Sequence, residues 1–370
     1  MDSAERAGAV LTVDLNVLAE NYAYLKSQLA DGCVCSAVVK SDAYGLGMAP
    51  VAGRLAEAGC EVFFVALLDE AIGLRSTLEE RDIYPKIYVF NGISEGSEND
   101  LGRYKITPVL NSISEIERWS IFGKNSSDPC EAIINIDTGM SRLGLDSNEL
   151  DFLVENPETA TGIAVSHFMS HLACADERSD KMNQEQRQLF DKIRQRLPRA
   201  RSSLANSAGI FLGSDFHYDL VRPGAAIYGL QPIKNESNNI GQVINLKGKI
   251  IQTRVVDTNS TVGYGATYKT ARKSRLATVA LGYGDGYFRT LGNSGCGYIG
   301  TTRVPIVGRI SMDLVTFDIT DVPDAQCGPG TYIDIIGPNN SVDDVATDAG
   351  TIGYEILTAL GARYSRNYIG

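Results

Sequence analysis

The 370-residue chain has one tryptophan, three histidines and no C-x-x-C pair. Its seven cysteines are an odd, scattered set, with Cys33 and Cys35 close together. That pattern excludes a zinc ribbon or a disulfide framework and suits free thiols in a reducing compartment. No apolar run outlasts "VFFVALL" from Val62, far too short to cross a bilayer. The opening "MDSAERAGAV" carries acids where a secretory signal has basic residues and an apolar stretch, so a cytoplasmic address is expected. Lys and Arg form no dense run and the net charge is −11. Neither nucleic acid nor an anionic membrane is therefore an expected partner.

What is present describes a globular protein. Hydrophobic residues make up 44% and charged ones 21% of a chain long enough for two domains. Its first two-thirds alternates β-like runs with amphipathic stretches such as "MAPVAGRLAEAG" and "NQEQRQLFDKIRQRL". The runs are "CVCSAVVK" (33–40), "EVFFVAL" (from Glu61), "KIYVF" (86–90), "ITPVL" (106–110), "EAIINID" (131–137), "GIAVSHFMSH" (162–171), "SSLAN" (202–206) and "YDLVR" (218–222). Eight strand–helix units at this spacing predict a TIM-like (β/α)8 barrel, with an open doubly wound sheet as the competing architecture.

Around "QPIKNESNN" (231–239) the composition turns polar. Beyond it, "VINLKGKIIQTRVV", "RLATVALG", "RVPIVGRISMDLVTFDI" and "TYIDIIG" predict a mainly antiparallel β domain. The expected division is a barrel over 13–235 and a β domain over 236–370. The opening "AVLTVDL" alternates like a strand, and residues 8–14 are expected to join the tail's sheet.

Three patterns are decoys. "GCGYIG" (295–300) fits the dinucleotide fingerprint, but β-branched "TTRVPIV" follows where a helix is required. His167 and His171 are four apart in a β-patterned run, where they need not converge on a metal, so no metal is expected. No G-x-S-x-G elbow announces a serine hydrolase. His217 reads as a structural or surface histidine and Trp119 as a packing residue.

In a barrel, chemistry gathers at the C-terminal strand ends. Those ends carry Lys40, His171, Asn206 with Ser207, and Arg222 before Pro223–Gly224, while Arg142 comes after strand five. A lysine is most often a snorkelling surface residue. Here an amine, an imidazole, two guanidinium groups and a Ser–Gly cradle share one mouth, which suits an anionic aldehyde cofactor such as pyridoxal 5'-phosphate.

"VVKSDAYGLG", "DTGMSRLG", "HLACADE", "ANSAG", "RPGAAIYGL", "VGYGATY", "LGYGDGY", "GRISMD" and "TIGYE" occur along the chain in this order. Over nearly its whole length the chain resembles the alanine racemases, fold-III pyridoxal-phosphate enzymes. The resemblance implies a covalent aldimine between Lys40 and the cofactor, with Lys40 and Tyr264 as bases on opposite faces of the substrate's Cα. A phenol at its usual pKa of about 10 is a poor base, so nearby positive charge must lower it, and His171 and Arg222 are the expected sources. Arg222 would face the pyridine nitrogen and leave it unprotonated. Tyr44, Ser207, Tyr354 and the amides near Gly224 and Ala225 would hold the phosphate, with Asn206 also counted in the cofactor site. Arg142 and Met312 would meet the substrate carboxylate, with Tyr283 and Asp313 near the entrance.

Because Tyr264, Tyr283 and Met312 fall in the β domain, the resemblance also implies a head-to-tail homodimer with composite sites. A role in supplying D-alanine to peptidoglycan precursors goes with it. Many members carry a carbamylated lysine at the position of Asn135. A neutral amide cannot balance Arg142, so a chloride near Asn135 and Arg142 is expected instead. The same change admits a broader serine/alanine specificity, whereas Tyr354 crowding the substrate favours a methyl side chain. A non-catalytic pyridoxal-phosphate barrel would lack the β domain. A fold-III decarboxylase would carry a "GGG" motif, which is absent.

Overall fold

The computed structural model describes residues 6–233, 236 and 238–370. The expected boundary at 235/236 adjoins residues 234, 235 and 237, which lie outside that description.

Each of the eight expected barrel runs contains a strand. They are Val34–Cys35 with Ala37–Val38, Val62–Val65, Lys86–Val89, Thr107–Leu110, Cys130–Asn135, Ile163–Met169, Arg201–Ser203 and Leu220–Val221. From Ala37–Val38 to Arg201–Ser203 they form a seven-stranded sheet in chain order, with every pair parallel. The eighth strand closes it. Leu220–Val221 pairs in parallel with Val34–Cys35, while Asp219 and Arg222 donate backbone N–H groups to Ser202 O (3.0 Å) and Ala205 O (2.9 Å). Closure decides for the barrel over the open sheet.

Consecutive apolar residues such as Phe63, Phe64 and Val65 are fully buried. Strands with side chains inside the barrel on one face and helices on the other need no polar alternation. The helices begin where side chains can take up free N–H groups. Ser112 accepts from Glu115, and Asp146 accepts from Asn148 and Glu149.

The β domain has an eight-stranded sheet. Ala9–Asp14 lies in it, antiparallel to Ile244–Val256 and parallel to Ser365–Ile369. The run "RVPIVGRISMDLVTFDI" yields two strands, Thr302–Pro305 and Val315–Asp318. Between them Gly308 turns at φ 83°, and Ser311 Oγ bonds the backbone of Leu314. That local side-chain bonding diverts the backbone from the ladder. "GCGYIG" forms the first arm of a hairpin, Cys296–Ile299 against Thr302–Pro305, with no helix after it.

His217 is a satisfied core residue, accepting from Ala30 N (3.1 Å) at Nδ1 and lying 2.8 Å from Ile210 O at Nε2. Trp119 is buried against Phe122 and donates to Glu131 O (3.2 Å). Among the described residues no helix is long and apolar enough to cross a membrane.

Candidate active site

Lys40 comes just after the first barrel strand. Beyond it Ser41, Asp42, Ala43 and Tyr44 take φ of 54, 53, 54 and 55°, a left-handed turn built without glycine. Such backbone costs L-residues about 1–2 kcal/mol each, so neighbours must hold it. The turn places the buried Tyr44 ring on Tyr228, centroids 4.5 Å apart, with Tyr354 at 6.1 Å. The C-terminal tail grips the next two residues. Arg366 donates to Gly45 O (2.7 Å) and Tyr368 to Leu46 O (2.9 Å). A Cβ on Gly45 would lie 2.4 Å from Leu357 O, so glycine is required there.

The Lys40 amine stands 5.9 Å from the Phe90 ring centroid. Burial first, and the charge of Arg142 second, push its pKa below the usual lysine value. Both favour an unprotonated, nucleophilic amine.

Arg222 is 2% exposed. One terminal nitrogen donates to Ser203 Oγ. The other reaches Ser170 O (2.6 Å) and Leu204 O (3.3 Å), with His171 Nδ1 at 3.4 Å. Its Nε is buried with no partner. Burial without a carboxylate lowers its pKa to about 9, still far above neutrality, so the guanidinium keeps its proton.

His171 departs from expectation. Burial, then the charges of Arg222, Arg142 and Lys40, pull it down to about 3. It is a neutral ring, not a source of positive charge for a tyrosine, and of the expected pair only Arg222 is cationic.

Ser207 Oγ accepts from Gly224 N (2.9 Å) and Ala226 N (3.2 Å), which leaves its hydroxyl hydrogen free to donate. A Cβ on Gly224 would sit 2.3 Å from the Tyr44 hydroxyl. Ala225, also buried, begins the short helical turn Ala225–Tyr228. Burial raises the pKa of both Tyr44 and Tyr354, keeping both phenols protonated donors. Asn206 plays a different part, because its Oδ1 accepts from Gly209 N (2.9 Å) and shapes the turn behind Ser207.

Asn135 is 7% exposed and donates through Nδ2 to Asn111 Oδ1 (2.9 Å). Asn111 in turn gives its own amide hydrogens to Phe90 O (3.0 Å) and Val109 O (2.8 Å). This chain of donors fixes the Asn135 amide and leaves its buried Oδ1 without a partner. Arg142 is exposed, on a loop where Asp137 Oδ1 accepts from Gly139, Met140 and Ser141.

The remaining expected residues lie apart. Tyr264 is 72% exposed, Met312 55% and Tyr283 43%. Two backbone bonds, Tyr283 N to Ser311 O (3.1 Å) and Gly284 N to Met312 O (2.8 Å), zip their loops together. Arg363 clamps the same loops, donating to Asp285 Oδ1 (2.7 Å) and to Asp313 Oδ1 (2.7 Å). Among the described residues no hydrogen bond or ion pair links Tyr264, Tyr283, Met312 or Asp313 to Lys40, His171 or Arg222.

Asn111, Ser203 and Arg363 were not anticipated. Asn111 stands at a strand end, so the rule that found Lys40 also points to it. Arg363 had no signal, because its two carboxylate partners are distant in sequence.

Two family models match the chain. "Alanine racemase, N-terminal domain" covers residues 13–232 and "Alanine racemase, C-terminal domain" covers residues 243–368. The chain is 45% identical over 370 residues to an alanine racemase of Rhodospirillum rubrum, spanning 100% of this chain and 98% of that protein. It is 43% identical over 368 residues to a catabolic alanine racemase of Mesorhizobium japonicum, spanning 100% and 95%. The crystal structure of alanine racemase from Bartonella henselae, with covalently bound pyridoxal phosphate, superposes at a TM-score of 0.93. That pair shares 41% identity and covers 98% of this chain and 100% of the other.

Proposed function

The chain belongs to the alanine racemase family, and from that premise we propose that Lys40 and Tyr264 act as the two bases that interconvert L- and D-alanine. It is an isomerase of a family that uses pyridoxal phosphate. When bound, that cofactor supplies an electron sink that makes the substrate Cα–H acidic.

The observation that carries the assignment is the buried, unpartnered Nε of Arg222, whose charge acts with that of Lys40 on the same His171 ring. A pyridine nitrogen is an acceptor suited to that donor, so the residues present fit the cofactor. Lys40 would hold its aldehyde carbon covalently. Tyr44, Ser207, Tyr354 and the backbone amide of Ala225 form a set of donors suited to a phosphate, with the Gly224 N–H holding Ser207 Oγ in place and Asn206 shaping the turn behind them. His171 stays neutral and accepts from Arg222 through Nδ1. Because Arg222 keeps its proton, it cannot give one to the ring nitrogen, and the sink stays weak enough to disfavour side reactions.

Lys40 Nζ would move the Cα proton on one face and the Tyr264 hydroxyl on the other. Arg142 and the Met312 backbone amide would orient the substrate carboxylate, with Tyr283 and Asp313 at the entrance. The exposure of Tyr264 and Met312, at 72% and 55%, supports a head-to-tail homodimer in which each chain lends these loops to its partner's barrel. A chloride on the remaining Nδ2 hydrogen of Asn135 would balance Arg142. We assign 13–235 to the barrel and 236–370 to the β domain, with Ala9–Asp14 joining the latter. A cytoplasmic location accords with the free cysteines.

The test is incubation with L-alanine and, separately, L-serine in heavy water, monitoring Cα deuterium and chirality. Deuterium should enter as inversion proceeds, faster with alanine because Tyr354 leaves room for a methyl group. No exchange with either amino acid would end the proposal, and equal rates would establish the broader racemase.

A further inference from the structure

Four consecutive left-handed residues directly after the cofactor amine need an external hold. Within the turn, Ala43 N reaches Val39 O (3.0 Å) and Gly45 N reaches Ser41 O (2.8 Å). Beyond it, Asp42 Oδ1 accepts from Met48 N (2.7 Å). None of these bonds touches the amide N–H between Lys40 and Ser41. One group does, and it comes from another barrel unit. Glu70 Oε1 accepts from Ser41 N at 2.6 Å.

The bland account of Glu70 is a helix cap. It is the third residue of the helix Leu68–Glu79, and its Oε2 accepts from Ala66 N (2.9 Å) and Leu67 N (3.1 Å). That is ordinary capping-box behaviour. It accounts for one carboxylate oxygen only. The other is spent wholly on the peptide that joins Lys40 to Ser41, where it fixes the peptide plane and with it the direction in which the Lys40 side chain leaves the backbone. The Glu70 charge also opposes, at the amine, the effects of burial and Arg142.

We infer that Glu70 is a positioning residue for Lys40, holding the left-handed turn through the Ser41 N–H so that the amine is aimed into the barrel mouth before the cofactor arrives. The inference rests on the reading of Lys40 as the cofactor amine.

A glutamine at position 70 presents an amide NH2 either to Ser41 N–H or to the two cap N–H groups, so it cannot serve both. Full-length protein freed of cofactor is mixed with pyridoxal phosphate, and the rate of covalent capture is read by absorbance against pH. In capture one C=N bond forms at Nζ and the aldehyde oxygen leaves as water. The alkaline plateau, where the amine is unprotonated in every variant, reports aim, and the midpoint reports charge. Glu70→Gln should lower the plateau about tenfold and move the midpoint to lower pH. Adding Ser41→Gly should restore most of the plateau, because glycine holds positive φ unaided, whereas it does nothing for a lost helix cap.

A Glu70→Gln plateau equal to wild type, or one that Ser41→Gly leaves unrestored, would reduce Glu70 to a cap and overturn the inference. If Glu70→Gln does not fold, Glu70→Asp carries the same test, since the shorter carboxylate cannot span both partners. Borohydride trapping with peptide mapping separates the premise from the inference. Wild-type label on a residue other than Lys40 removes the reading of Lys40 itself, whereas label on Lys40 with unaltered capture in the variant removes only Glu70.

Discussion

The barrel mouth and the loops of the β domain carry their polar groups in opposite ways. At the mouth, Arg222, Ser207 and Tyr44 are 2%, 5% and 7% exposed, and each is fixed by strand-end backbone or by a neighbouring ring. On the loops, Tyr264, Met312 and Tyr283 are largely open, with Tyr283 and Met312 ordered by the zipped backbone and the Arg363 clamp. A cofactor that stays bound calls for a site complete within one chain. A substrate that enters and leaves is better served by groups brought in from outside. On this contrast, damage to the loops should spare cofactor binding, and damage to the mouth should not.

The largest effect is expected from Tyr264→Phe. General acid–base catalysis is worth roughly 100- to 10,000-fold, so racemisation should fall by that order while cofactor absorbance persists. Chiral chromatography beside a visible spectrum checks it, and loss of the cofactor would break the contrast.

Gly224→Ala tests the other side. Its Cβ would stand 2.3 Å from the Tyr44 hydroxyl. Overpacking of this kind costs about 1–3 kcal/mol, and about 1.4 kcal/mol is tenfold in affinity. Cofactor Kd should therefore rise roughly ten- to hundredfold, with near-normal turnover once cofactor is saturating.

Arg363→Lys sharpens the loop side, because one ammonium cannot replace a fork reaching both Asp285 and Asp313. Alanine KM should rise several-fold with cofactor affinity unchanged, as titration of both would reveal.

The smallest effect concerns pH. All three histidines lie in the barrel, at 167, 171 and 217. Burial, then the charge of Arg201, holds His167 down to about 4. An unfolded histidine titrates near 6.5. Between these values the unfolded chain binds more protons, so stability rises with pH across the window and falls as pH drops through it. His171, held down to about 3, adds to the same slope, so urea midpoints from pH 4 to 7 should rise with pH and His167→Gln should reduce the rise.

Most of the eight strands were legible because they are short β-branched runs, "SSLAN" being an exception, and Lys40, His171, Asn206, Ser207 and Arg222 were legible because they stand at the ends of the runs. The left-handed turn was not. Nothing in "SDAY" asks for positive φ, which is imposed by Glu70, Tyr228 and the tail residues. The neutrality of His171 was hidden for a related reason, since the burial that chiefly lowers its pKa, and the Arg222, Arg142 and Lys40 groups that add to it, come together only in the fold. "RVPIVGRISMDLVTFDI" was legible only as β-rich sequence, and where Gly308 and the bonding of Ser311 to Leu314 divide it was not.

The grip of Arg366 and Tyr368 on Gly45 and Leu46 also sets an order of events in time. The strand Ala9–Asp14 is synthesised well before either of its sheet partners, residues 244–256 and 365–369. During translation the barrel strands can find one another first, while that early strand waits. Gly45 and Leu46, just beyond the turn after Lys40, gain that hold only when residues 366 and 368 have left the ribosome, so a nascent chain holds the barrel before it holds a finished mouth.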